Sequence, residues 1–128
     1  MKEYEGIKVA ELQGTSGASA AIDRSEGFHK VADSKLNVVA SQTANFNRTE
    51  GMSVMENMLQ VDGDIKAVFA ANDEMALGAL EAIAATGKDI KVEAMSGAGK
   101  NVLVVGFDAT DDAIAAVKAG RMAATVAQ

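Results

Sequence analysis

Apolar residues gather in short runs along the chain: Lys8–Leu12, Leu36–Ala40, Ala67–Ala71, Val102–Gly106 and Ala123–Ala127. Most are near-continuous rather than alternating, the pattern of strands covered on both faces. Between them the apolar positions take helical spacing. Residues 18–32 set Ile22, Phe28 and Val31 on one side, and residues 48–60 do the same with Met52, Met55, Met58 and Leu59. Residues 74–86 carry Met75, Leu77, Ala79, Leu80 and Ile83, then stop at Gly87, a candidate C′ glycine. A short fourth helix over 111–119 opens on Thr110-Asp111-Asp112, a capping hydroxyl followed by acids that suit the helix dipole, and stops at Gly120. The order β-α-β-α-β-α-β-α-β predicts one α/β lobe over residues 1–128: a three-layer, doubly wound, five-stranded parallel sheet. The expected strand order is the flavodoxin-like 2-1-3-4-5. Residues 91–101 lengthen the connection into the fourth strand well beyond the usual few residues, and are read as an inserted loop rather than a hairpin.

Composition narrows the function. The chain has 128 residues, 48% apolar, with 12 Lys+Arg against 18 Asp+Glu and a net charge of −6. That is long enough for one core, and too acidic for a phosphate-backbone partner, so no nucleic acid is expected. Without cysteine there are no disulfides and no thiolate ligands. No apolar run approaches the ~20 residues of a membrane span. Met1-Lys2-Glu3-Tyr4-Glu5 is charged where a signal peptide would be apolar.

In an open parallel sheet, ligands bind beyond the carboxyl ends of the strands. Those ends carry Gln13-Gly14-Thr15-Ser16-Gly17, Ser41-Gln42, Asn72-Asp73, Phe107-Asp108 and Gln128, with Arg24 and Phe46 a little beyond the first two. Amides and carboxylates suit a hydroxyl-rich ligand, since each hydroxyl both donates and accepts. An aromatic face packs on the C–H side of a sugar ring, and Arg and Asp make charge-assisted bonds to its hydroxyls. Taken singly, each residue has a plainer role: Asp73 and Asp108 as helix caps, Asn72 as a turn residue, Arg24 as a solvated charge, Phe46 as core. Their shared edge is what favours a ligand.

Sharper motifs fail. Gly14–Ser19 partly resembles a flavodoxin phosphate loop, but it lacks the opening hydroxyl, and the chain has a single Tyr and no Trp to cover a flavin. A response-regulator receiver needs acids after the first strand and a lysine after the fifth, where Gln13 and Gln128 stand. Gly97-Ala98-Gly99-Lys100-Asn101 misses two positions of a P-loop. His29, next to Phe28 in a helix, is expected at the surface, and Met52, Met55 and Met58 are expected as core. No metal-ligand spacing is present, so neither catalysis nor a cofactor is expected.

Several segments together carry a resemblance: Ala10-Glu11-Leu12-Gln13-Gly14, Arg24-Ser25-Glu26-Gly27-Phe28, Ala44-Asn45-Phe46-Asn47-Arg48, Ala70–Gly78, Val104-Val105-Gly106-Phe107-Asp108 and Ala124-Thr125-Val126-Ala127-Gln128. In this order they resemble the bacterial D-ribose-binding proteins, type I periplasmic binding proteins of ABC sugar importers. Family members have two lobes with the sugar between them. The chain looks like the C-terminal lobe, cut at Gln128 where the polypeptide would cross the hinge, with residues 91–101 foreign to the pattern. The resemblance implies a non-enzymatic sugar-binding lobe, a periplasmic location, an ABC permease partner, and Arg24, Phe46, Asn72, Asp108 and Gln128 as sugar contacts. By it Phe46 stacks on the pyranose and the other four bond its hydroxyls. Half a cleft implies weak binding or none, and the exposed inter-lobe surface favours self-association. The alternatives are the effector domain of a LacI-type regulator, which shares the Asn-Asp-Glu-Met-Ala and Gly-Phe-Asp motifs, a flavodoxin-like phosphate- or flavin-binding domain, and a fragment without independent function.

Overall fold

The computed structural model describes residues 7–85 and 102–126. Its strands are β1 (Lys8–Gln13), β2 (Asn37–Thr43), β3 (Ala67–Ala70), β4 (Leu103–Phe107) and β5 (Ala124–Val126). They alternate with helices α1 (Ser19–Lys35), α2 (Arg48–Val61), α3 (Asp73–Ala85) and α4 (Asp111–Lys118). All strand pairings are parallel, as the alternation predicts, and form one sheet of the expected order β2-β1-β3-β4-β5. The step from β1 to β2 runs one way across the sheet and every later step runs the other. Right-handed crossovers therefore put α1 on one face and α2, α3 and α4 on the opposite face.

Polar caps and a glycine set the helix ends. Asn47 caps α2, its side chain accepting from the Glu50 amide at 2.9 Å. Thr110 caps α4 through the Ala113 amide, and Gly120 beyond its end takes φ +80°. Gly87, residues 91–101 and Gln128 lie outside the described residues.

The core is one-sided. Its contiguous apolar cluster, including Leu12, Met55, Ile65, Val68, Met75, Ile83, Val104 and Met122, lies between the sheet and α2–α4. Met55 and Met58 are buried within it and Met52 packs at its margin, so the methionine stripe is core. Gly51 and Gly78 let α2 and α3 touch backbone to backbone: a Cβ on Gly78 would collide with the Arg48 carbonyl, and one on Gly51 would come 2.9 Å from Met75 Cα.

The α1 face departs from the expected pattern. Ile22 and Val31 are 49% and 60% exposed, while Ala21 and Ala32 are the residues α1 buries. Of the expected trio only half-buried Phe28 meets the sheet, stacked on Phe69 with centroids 4.7 Å apart and planes 6° from parallel. Small residues face the sheet because they let the helix settle close to it; the larger apolar ones were left outward. One helix also cannot cover five strands. Coverage on both faces holds fully for β1, whose Val9–Leu12 are buried, but β2 is an edge strand of alternating exposure. On the α1 side Phe69, Leu103, Val105 and Phe107 stay half-buried and Val126 is exposed.

Candidate ligand-binding site

Parallel strands deliver their carboxyl ends to one edge, and four of the five residues singled out from the sequence meet there; Gln128, just past β5, is outside the described residues. Arg24, in the second turn of α1, is not a solvated charge. Its side chain is only 13% exposed. One guanidinium nitrogen donates to the Ala71 carbonyl at 2.7 Å and another to the Asp108 carboxylate at 3.1 Å. The guanidinium sits 4.0 Å from the centroid of the Phe107 ring and 5.8 Å from that of Phe46. Charge-assisted bonds contribute about 1.5–3 kcal/mol each and a partly desolvated cation–π contact about 0.5–2. Together these offset the cost of withdrawing the guanidinium from water.

Phe46 is held in an unusual backbone. Asn45 and Phe46 take φ of 55° and 59°, left-handed values that cost non-glycine residues roughly 1–2 kcal/mol each. The turn is over-determined in return. The Asn45 amide donates to Thr43 Oγ1 at 3.2 Å, the Asn45 side chain donates to Glu50 at 2.9 Å, and the Phe46 carbonyl accepts from Asn72 Nδ2 at 3.2 Å. The half-buried Phe46 ring lies over Gly14, where any Cβ would fall inside the ring. Gly14 is therefore the seat of the aromatic.

Asn72 has two jobs. As N-cap of α3 its Oδ1 accepts from the Met75 amide at 3.0 Å, while its Nδ2 holds the Phe46 turn. Among the described residues these bonds use one N–H and one lone pair, and the amide carries a second of each. Asp73, expected as a cap, is not one. It lies inside the first turn of α3, fully buried, and accepts from the Thr110 amide at 2.7 Å and the Thr125 hydroxyl at 2.6 Å. Asp108 follows β4 in a second left-handed turn, with φ of 120° and 57° at Asp108 and Ala109. Such non-glycine conformations cost of order 1–3 kcal/mol and cluster at functional sites.

The edge thus offers a cation, an anion, an amide and an aromatic face within one neighbourhood. This set can bond a polyhydroxylated ring and pack on its C–H face. Phe107 is the further platform of the site; its place at the end of a strand, beside Asp108, is the sequence signal for it. His29, expected at the surface, is half-buried instead, with Nε2 at 2.7 Å from the buried carboxylate of Glu11 and Nδ1 at 2.7 Å from Asp33. The Gly14–Gly17 loop lines a separate shallow pocket with Ser25, Glu26 and Thr43. Among the described residues no group of His, Asp and Glu could hold a metal ion, and no helix is long and apolar enough to cross a membrane.

A family model described as a periplasmic binding protein domain matches residues 1–128. The ribose import binding protein of Bacillus subtilis is 56% identical over 124 residues, covering 97% of this chain and 37% of that protein. Its namesake in Escherichia coli is 52% identical over 128 residues, covering 99% of this chain and 40% of that protein. Among solved structures, the periplasmic binding protein component of the arabinose ABC transporter from Shewanella sp. ANA-3, bound to arabinofuranose, matches with a TM-score of 0.84 at 38% identity, over 96% of this chain and 39% of that one. The chain spans less than half the length of these relatives, which are sugar-binding transport proteins rather than enzymes. With its sheet order shared by such structures and its whole length matched by the family's domain, the chain belongs to the periplasmic binding protein family.

Proposed function

We propose that the chain is a non-catalytic D-ribose-binding lobe of an ABC-importer binding protein, supplying one side of the sugar cleft in the periplasm. The observation that carries this reading is the largely enclosed Arg24 guanidinium. It is braced by Asp108 and the Ala71 carbonyl, lies over Phe107 and is flanked by Phe46. Identity above one half to ribose import binding proteins supports ribose as the sugar. In this reading Phe46 stacks on the pyranose, while Arg24, Asn72, Asp108 and Gln128 bond its hydroxyls; a second lobe and an ABC permease are the partners of the longer protein. One lobe leaves the sugar open to water, so each hydrogen bond competes with solvent and nets only ~1 kcal/mol. Affinity is expected to be weaker than millimolar. An amide NMR titration with D-ribose, with D-galactose as the control, tests both points. Ribose-specific shifts at Arg24, Phe46, Asn72 and Asp108 that stay unsaturated at millimolar sugar are expected. A well-dispersed spectrum indifferent to ribose would leave the lobe a folded scaffold without ribose binding of its own, and saturation at or below millimolar sugar would overturn the expected weakness.

A further inference from the structure

We infer that Asp73 is a positioning residue, which sets the direction of the Asp108 carboxylate without itself meeting a ligand. This rests on reading Arg24 and Asp108 as sugar contacts. The carboxylate is wholly buried at the start of α3, beneath the strand ends. Both of its recorded donors are uncharged and both belong to the β4–β5 corner: the Thr110 amide on Oδ2 at 2.7 Å and the Thr125 hydroxyl on Oδ1 at 2.6 Å. Thr125 Oγ1 in turn accepts from the Ala109 amide at 3.1 Å.

The polarity of this relay has one solution. A carboxylate only accepts, so the single hydroxyl proton of Thr125 points at Asp73 and leaves an oxygen lone pair for the Ala109 N–H. Two consecutive amides, 109 and 110, are thereby tied to one buried carboxylate, the first through Thr125 and the second directly. These ties fall where the chain adopts its left-handed conformation at Asp108 and Ala109. On the other side Asp108 is pinned by its own amide, which donates to the Val126 carbonyl at 2.8 Å. With the backbone held before and after it, the Asp108 side chain is directed at Arg24, 3.1 Å from the guanidinium. Gly106 completes the arrangement, because a Cβ at that position would occupy the space of the Asp73 carboxylate.

The same network spans three elements, since Thr125 is the middle residue of β5. Asp73 therefore ties the base of α3, whose N-cap is Asn72, to the segment carrying Asp108 and to β5.

The test is NMR on the full chain with Asp73→Asn, Thr125→Val and Thr125→Ser. Asn at 73 turns one oxygen into a donor, which opposes either the Thr110 amide or the inward hydroxyl. The valine removes the hydroxyl, and the serine keeps it. In the unsubstituted chain, positive φ gives strong intraresidue HN–Hα cross-peaks at Asp108 and Ala109. These peaks are expected to weaken in D73N and T125V, with the ribose-induced shift at Asp108 falling by about tenfold, and to survive in T125S. The Phe46 cross-peak, set by a separate turn, serves as the internal reference. Unchanged Asp108 and Ala109 peaks in D73N and T125V overturn the inference, and so does an altered turn with an undiminished ribose response at Asp108. Should the unsubstituted chain ignore ribose, the sugar reading fails and the cross-peaks alone judge the positioning. Should D73N fail to fold, T125V at its half-buried position carries the same comparison.

Discussion

Glu11 is sealed into the α1 face of β1, 1% exposed, and its Oε1 receives His29 Nε2 at 2.7 Å and Ser41 Oγ at 3.0 Å. His29 also lies 2.7 Å from Asp33 through its other nitrogen. A neutral imidazole has one N–H and serves one carboxylate, whereas the protonated ring serves both. The side-chain bond to Asp33, joined by the bond and charge of Glu11, outweighs burial and holds the His29 pKa above its ordinary 6.5. A pKa raised by folding means that this contribution to stability is complete below the unfolded value and fades as the pH rises through the folded one. Thermal unfolding of the wild type is therefore expected to lose stability from about pH 6.5 upward, and His29→Gln to flatten that slope; equal slopes would refute the coupling. At this scale the sequence was informative about which residues share the strand-end edge and poor at buried polarity. Arg24, Phe46, Asn72 and Asp108 could be placed together by their positions near strand ends, but not the way Arg24 is drawn in against Phe107 and Asp108. Glu11, Asp73 and His29 were misjudged or passed over because their partners lie on other elements. A buried carboxylate reads like a surface one until the donors across the fold are placed.

Among the elements, α2 and α3 form the closest pair, and glycine decides how close. Helix propensity alone would favour Ala over Gly by about 1 kcal/mol. At Gly78 a methyl group meets the Arg48 carbonyl and the Met52 nitrogen, backbone atoms that cannot rotate away. Overpacking of this kind costs about 1–3 kcal/mol, so Gly78→Ala is expected to destabilise on balance. Gly27 in α1 has nothing within 4 Å of the same methyl, so Gly27→Ala is expected to stabilise by about 0.5–1 kcal/mol. Chemical denaturation of the two variants should show shifts of opposite sign, and a gain at Gly78 would refute the backbone contact. The same contrast explains what was legible here. Periodicity located the four helices of the described residues and the parallel, doubly wound sheet, because alternation of apolar runs with helical stretches leaves few topologies. It misplaced the buried face of α1, where alanines do the packing and the larger apolar residues point outward, so size was a misleading guide to burial.

For the whole molecule, the asymmetry between the two sheet faces matters more than any single contact. One face closes over a continuous core, and the other leaves Phe69, Leu103, Val105 and Phe107 half-buried beside exposed Val126. Parts of a native protein open independently, at free energies that follow how much each part buries. Helix α1 buries only Ala21 and Ala32 fully, whereas α3 buries most of its length. The helix that carries Arg24 is thus less firmly held against the sheet than α2 or α3. Amide hydrogen exchange is expected to show α1 opening well before α2 and α3, and equal protection across the helices would contradict this. A ligand gripping Arg24 binds only the docked form, so it would protect α1 first. Occupancy of the site would register as the quieting of one helix.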